Sequence, residues 1–216
     1  MSLINIINTW DTNLFLFLNG CHSTFFDSFM YVVSAKLTWI PLYIAVLYIV
    51  VNTWKRESIW IILSLILCIV IADQVSSSII KDIVQRPRPS QANELQGLVH
   101  VVNDYRGGRY GFVSSHAANA VGFALLSSLL LKKKSYTIAV FCWAIFVAYS
   151  RIYLGVHYPL DVLGGSVVGA FAALLCFFVM KKYRPKLLCQ NDLSVNFPIL
   201  TLGASLIVIF IYSAIC

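Results

Sequence analysis

Apolar stretches long enough, or nearly long enough, to cross a membrane recur along most of this chain, and that recurrence excludes almost every water-soluble architecture. A spanning helix needs roughly 20 mostly apolar residues. Six segments approach or reach that length, at about 34–53, 58–79, 116–131, 135–150, 160–180 and 196–215. Six such helices use about 120 of the 216 residues, which leaves little beyond connections. Hydrophobic residues make up 59% and charged residues 12%, and mean hydropathy is +0.81. That composition excludes disorder, collagen and a soluble single domain. Residues 1–20 lack the basic start and small-residue cleavage site of a signal peptide. Ile4, Ile7, Trp10, Leu14 and Leu18 recur at helical spacing there, with Asn5, Asn8, Asp11 and Asn13 between them. They predict an amphipathic helix lying in the interface, with a first helix packed inside the bundle as the alternative. The expected fold is therefore all-α: one polytopic membrane domain over 1–216, with six transmembrane helices in one bundle and an N-terminal amphipathic helix.

The formal charge of +7 does not read as a nucleic-acid surface, because the cations punctuate apolar runs instead of clustering on one soluble face. The connections after the first, third and fifth spans are short and basic: Lys55 and Arg56; Lys132, Lys133 and Lys134; Lys181, Lys182, Arg184 and Lys186. If every span crosses, all three lie on one side, and the positive-inside rule makes that side cytoplasmic. Lys81, Arg86, Arg88, Arg106, Arg109 and Arg151 fall on the other side, in contexts with another use for positive charge. The six cysteines show neither C-x-x-C pairing nor metal spacing and read as small hydrophobes.

Three polar clusters share that second side. Lys81-Asp-Ile-Val-Gln-Arg-Pro-Arg88-Pro89 ends the second span; alone, its cations could simply serve a helix C-terminus or the headgroups. Phe112-Val-Ser114-Ser115-His116 opens the third span. Ser before a helix is an ordinary N-cap, but a histidine at the end of a membrane helix needs another reason. Ser150-Arg151-Ile-Tyr-Leu-Gly-Val-His157-Tyr-Pro159-Leu-Asp161 joins the fourth and fifth spans. Pro159 belongs in a first helical turn, which puts Asp161 one turn beyond His157. There a carboxylate can accept the imidazole N–H and leave the other ring nitrogen unprotonated, the arrangement of an activated nucleophile. Three cations, two histidines, one carboxylate and two helix N-termini suit a phosphate dianion. No cluster offers several carboxylates or His and Cys at ligand spacing, so no metal is expected.

These residues resemble the three-part signature of the type 2 phosphatidic acid phosphatase (PAP2) superfamily: Lys81 with six residues before Arg88-Pro89, Ser114-x-His116, and Ser150-Arg151 with five residues before His157 and three more before Asp161. Members usually read Pro-Ser-Gly-His in the second part; this chain has Val113 and Ser115 in place of the Pro and Gly, so a Cβ occupies the position of the Gly. The resemblance implies that His157 is the nucleophile forming a phosphohistidine, oriented by Asp161. It implies that His116 is the general acid and later the base, and that Lys81, Arg88, Arg151, Ser114 and Ser115 bind the phosphate without metal or cofactor.

Soluble acid phosphatases and vanadium haloperoxidases share the signature, and six apolar spans argue against both. A transporter is the reading from a different class, suggested by Asp73 within the second span. With Gln74, Ser76, Ser77 and Ser78 beside it, Asp73 reads instead as part of a helix–helix hydrogen-bond network, and the polar clusters sit at helix ends, not at mid-membrane. The compact signature implies a bacterial inner-membrane protein, and with the basic connections cytoplasmic the site is expected to face the periplasm or exterior. The expected substrate is a lipid phosphate or diphosphate of the outer leaflet, lipid A or undecaprenyl diphosphate ranked nearly level, with phosphatidylglycerophosphate or phosphatidic acid as the alternative. Tyr105, Arg106, Arg109 and Tyr110 in the 80–115 connection are expected to meet the head group, the two arginines being suited to a second phosphate.

Overall fold

The computed structural model describes residues 3–189 and 194–215. Among them, regular structure is entirely helical, and one isolated antiparallel bridge pairs Pro87 with Tyr110. The helices are α1 (Leu3–Gly20), α2 (Thr24–Ser34), α3 (Ile40–Trp54), α4 (Ser58–Gln74), α5 (Lys81–Val84), α6 (Ser115–Leu131), α7 (Lys134–Tyr153), α8 (Pro159–Tyr183) and α9 (Asn196–Ile215). A π-helical stretch, Val75–Ile80, carries α4 into α5.

Among the described residues, four helical stretches can cross a membrane by length and composition: Lys36–Val84, Lys134–Tyr153, Pro159–Tyr183 and Asn196–Ile215. Ser115–Leu131 is a shorter apolar helix. The count is lower than the six expected because the first two spans run on as one 49-residue stretch through the Lys55–Glu57 turn, and the third has 17 residues. Boundaries shift in one consequential way. The second span continues through the π-helical stretch to Val84, and the fourth to Tyr153, so Lys81 and Arg151 project from helices instead of from the connections after them.

Large apolar side chains such as Ile44, Leu63, Ile66, Phe171 and Phe210 face outward, as expected of a protein whose surroundings are hydrocarbon. The sequence periodicity did not anticipate α2, whose N-cap Ser23 accepts from Phe26 N. α1 is amphipathic, as its periodicity predicts, and it packs on α7 and α8. Asp11, Phe15 and Asn19 point into the protein while Ile4, Trp10 and Phe17 point out. The reason is hydrogen bonding. Asn19 donates to Tyr153 O (2.8 Å) and accepts from His100 N (2.8 Å), and Asp11 accepts from Leu160 N (2.9 Å), so α1 satisfies buried backbone groups that no apolar side chain could.

α6 is central, packing on α4, α7 and α8. Its contact with α8 depends on missing side chains: a Cβ at Gly165 would overlap Ser114 O, and one at Gly169 would overlap Ala118 O. The facing positions advance together, 114 to 118 against 165 to 169, so the helices run parallel and both N-termini emerge at one end. At the opposite end Trp54 Nε1 donates to Leu187 O (2.9 Å), Lys132 Nζ to Leu188 O, and Arg184 lies 4.1 Å over the Trp60 ring. The basic connections thus gather away from the polar clusters.

Gly169→Val should therefore overpack the α6–α8 contact, at a cost at or above the about 1–3 kcal/mol typical of such insertions. Thermal unfolding in detergent should show a clear drop in midpoint, whereas Gly203→Ala, where a Cβ meets nothing within 4 Å, should melt like the parent.

Candidate active site

Three chain segments supply the cations. After α5, Gln85 takes a left-handed conformation (φ 51°) and turns the chain, so that Arg86 and Arg88 leave on an extended stretch pinned by Gly111 N to Arg86 O (2.8 Å). Arg88 Nη1 donates to Val156 O and to His157 Nε2, both at 3.1 Å. Gly107 (φ +69°) closes over this guanidinium, and a Cβ there would meet Nη1 at 2.8 Å. Arg151, 2% exposed, reaches from the last turn of α7 to Ser34 Oγ and to Tyr105 OH (3.0 Å). Lys81 Nζ meets Ser115 Oγ at 3.4 Å. The Nε atoms of both Arg88 and Arg151 are buried without a partner, an arrangement that is costly unless an acceptor arrives.

The paired N-termini of α6 and α8 supply the rest. Ser114 caps α6, its Oγ accepting from Ala117 N (3.4 Å), and its own N–H donates to Asp161 O (2.8 Å), which ties the two helix starts together. His116 sits one residue inside α6. His157 is 1% exposed. A guanidinium can only donate, so the contact with Arg88 makes Nε2 the acceptor and places the ring proton on Nδ1. Nδ1 stands 3.4 Å from Asp161 Oδ2, longer than the 2.7–2.9 Å of a closed charge-assisted hydrogen bond. That oxygen is held by Tyr158 N (2.9 Å), and Oδ1 takes Arg86 Nη1 (3.0 Å). The expected base–orienter pair is thus assembled but not closed. A Cβ at Gly111 would meet Asp161 Oδ2 at 2.9 Å, so this glycine is also part of the fit.

Burial, followed by the charges of Arg88, Arg151 and Lys81, holds the His157 imidazole well below the ordinary histidine range, with the Gly111 backbone pulling weakly the other way. The ring is unprotonated at neutral pH. Burial and the nearby Arg151 lower Arg88 to about 10, which leaves it a cation. Burial pushes the Tyr105 hydroxyl up, but the charge of Arg151 and its hydrogen bond outweigh this, and the net shift is down.

Of the four residues expected at the head group, Tyr105 joins the cluster through Arg151. Arg106 is turned onto Ser90 O (3.1 Å) and lines a separate cavity of about 440 Å³ with Gln91 and Asn93. Arg109 lies 5.3 Å over the Tyr110 ring. The two arginines thus have separate partners, one on loop backbone and the other on a neighbouring ring. Asp73 behaves as its polar neighbours suggested: Asn119 Nδ2 donates to Oδ1 (3.0 Å) and Ser77 Oγ to Oδ2 (3.2 Å). Among the described residues no three His, Cys, Asp or Glu side chains gather as metal ligands would. Beside the cations a cavity of about 580 Å³ runs between α3, α4, α6 and α7. Its polar end carries Ser34, Lys36, Asp73, His116 and Asn119, and its other walls are apolar, among them Leu65, Ile66, Phe123 and Trp143.

The sequence profile of the PAP2 superfamily matches residues 57–185, which contain all three clusters. This chain belongs to the PAP2 superfamily. Among its curated relatives, the lipid A 4'-phosphatase of Bacteroides thetaiotaomicron is 38% identical over 88% of this chain and 84% of its own length. That of Porphyromonas gingivalis is 38% identical over 80% and 72%. The phosphatidylglycerophosphatase B of Bacillus subtilis is 32% identical over 53% and 54%. The fold matches two crystal structures: a transmembrane PAP2-type phosphatidylglycerolphosphate phosphatase from Bacillus subtilis (TM-score 0.66, 23% identity, 83% of this chain and 89% of that one) and Aquifex aeolicus LpxE (TM-score 0.60, 24%, 77% and 94%).

The PAP2 signature did not single out Arg86, Ser34, Gly111 or Asp11. For Arg86 a signal existed, a second cation two residues before Arg88, but nothing in the sequence separates their partners. Ser34 and Asp11 reach the cluster from helices outside the matched stretch.

The depressed imidazole has a consequence for stability. An unfolded histidine titrates near 6.5, so below that pH the unfolded chain binds a proton that the folded one resists. Stability then falls with falling pH, by up to about 1.4 kcal/mol per pH unit from this group. His157→Asn should flatten the slope of unfolding free energy between pH 6.5 and 5 by up to one proton; an unchanged slope would mean that the ring titrates normally.

Proposed function

We propose that this protein is a lipid phosphate phosphatase of a bacterial inner membrane, acting on lipid A through a phosphohistidine intermediate. One observation carries the chemistry: an unprotonated Nε2, held in a buried pocket, faces a guanidinium whose own Nε has no partner. A phosphate dianion entering here gives the Nε atoms of Arg88 and Arg151 their missing acceptors, draws in Lys81 and frees the Nε2 lone pair from Arg88. Nε2 attacks phosphorus, the bond from phosphorus to the lipid oxygen breaks, and His116 gives that oxygen its proton. His116 then takes a proton from water, the hydroxyl attacks phosphorus, the P–N bond breaks, and inorganic phosphate leaves with both histidines restored. The cations and the two helix N-termini stabilise the charge that builds up on the equatorial oxygens.

The lipid part of the reading draws on the cavity beside His116. Its apolar walls allow acyl chains to stay out of water while the phosphate sits among the cations, a difference of about 0.8 kcal/mol per CH₂. Two relatives named as lipid A 4'-phosphatases, at 38% identity, favour lipid A over the prenyl diphosphate.

Six crossings are the topology we favour. Residues 36–47 and 62–74 line one cavity, so the chain doubles back at the Lys55–Glu57 turn, and α6 and α8 run parallel with α7 returning between them. The basic connections then face the cytoplasm and the site faces the periplasm.

Purified protein should release phosphate from lipid A with a higher kcat/KM than from undecaprenyl diphosphate or phosphatidylglycerophosphate, and far higher than from p-nitrophenyl phosphate. Preference for either other lipid overturns the substrate, and parity with p-nitrophenyl phosphate overturns the membrane-lipid reading. His157→Ala and His116→Ala should abolish turnover, and acid-labile phosphate on the protein should vanish in the first. For sidedness, an impermeant maleimide added to spheroplasts should label Asn93→Cys but not Ser135→Cys in a cysteine-free background. The reverse pattern inverts the topology.

A further inference from the structure

Arg86 is a single cation held between two buried carboxylates. Its Nη1 meets Asp161 Oδ1 at 3.0 Å, its Nη2 meets Asp11 Oδ2 at 2.7 Å, and its plane lies 3.8 Å over the Tyr158 ring. Both carboxylates are almost wholly out of solvent. Asp161 is the group whose other oxygen faces His157 Nδ1, and Asp11 comes from α1, outside the stretch that matches the family. We propose that Asp11 is a positioning residue for phosphoryl transfer: by engaging one edge of Arg86 it fixes which oxygen of Asp161 faces His157, so that α1 belongs to the catalytic unit. The inference rests on the function proposed above.

The physical argument concerns how one guanidinium is shared. Its planar fork can engage a carboxylate through two parallel bonds. With Asp11 in place, one edge is occupied, and Asp161 receives a single bond at Oδ1. Oδ2 stays with Tyr158 N and Nδ1, and keeps enough negative charge to stabilise the imidazolium character that develops as Nε2 bonds to phosphorus. Without the charge of Asp11, Arg86 is free to take both oxygens of Asp161, turning Oδ2 away from the ring and neutralising it. The charged and titratable groups around Asp11 are Arg86, Asp161 and Tyr158, with Glu94 acting on Tyr158, and Arg86 is the cation among them that touches both carboxylates.

Asp11→Asn separates this role from loss of the α8 contact, because the amide oxygen still accepts from Leu160 N while the NH₂ that replaces Oδ2 can no longer accept from Arg86 Nη2. On lipid A in detergent micelles, kcat should fall about tenfold to a hundredfold, the range that outer partners of a catalytic group carry, with KM within about twofold and the melting temperature near that of the parent. Arg86→Gln should lower kcat at least as much, and adding Asp11→Asn to it should cost nothing further. A kcat for folded Asp11→Asn within about twofold of the parent overturns the proposal. So do losses that multiply fully in the double variant, since Asp11 would then act independently of Arg86. Should Asp11→Asn not accumulate as folded protein, Arg86→Gln alone decides: a fall in kcat at constant KM supports the relay, and unchanged kcat refutes it. Absence of turnover by the parent on every lipid phosphate would instead overturn the functional reading, and this inference with it.

Discussion

α6 and α8 approach so closely that their backbones touch, and the placement of His116, His157 and Asp161 follows from that contact. It exists because residues 165 and 169 carry no side chain where Ser114 O and Ala118 O come by. In hydrocarbon no hydrophobic force draws helices together, so close packing of small residues has to do so. Parallel packing has an electrostatic cost, since two positive helix ends lie side by side. The Ser114 N–H to Asp161 O bond and the Asp161 carboxylate in the first turn of α8 offset part of it. The remainder is available to an anion.

The same surplus runs through the side chains. Arg88, Arg151 and Lys81 converge, while the carboxylate nearest His157 is already engaged by Arg86, itself shared with Asp11. Buried cations are stable when paired, and here the pairing is by neutral groups: Val156 O, Ser34 Oγ, Tyr105 OH and Ser115 Oγ. Such partners orient a guanidinium without neutralising it. Burial together with the field that remains keeps the His157 ring unprotonated, and the same field suits an anion.

Much of this was legible in residue order, because helical periodicity and motif spacing are local. Lys81, Arg88, Ser114, His116, Arg151, His157 and Asp161 were all readable, and the structure brings them to one end of the bundle. The role of Asp73 was readable from Gln74 and the serines beside it. The contacts of the two arginines in the 80–115 connection were not legible, because a cation in a loop has no periodicity to orient it. Arg106 turned out to serve the loop backbone and Arg109 to lie on Tyr110. For α1 the amphipathic character was legible but not which face meets protein, since apolar periodicity shows that a helix has two faces and not which one packs when hydrocarbon surrounds both.

By itself, then, the sequence determined an all-helical membrane chain, the three clusters and their common side, because composition and spacing act over a few turns of helix. Only the tertiary structure decided the parallel register of α6 and α8, the engagement of Arg86 by two carboxylates, and the recruitment of Asp11, Ser34 and Tyr105 from segments outside the motifs. Those contacts join residues from 46 to 149 positions apart, where no local periodicity reaches, and only the packing of the bundle selects them.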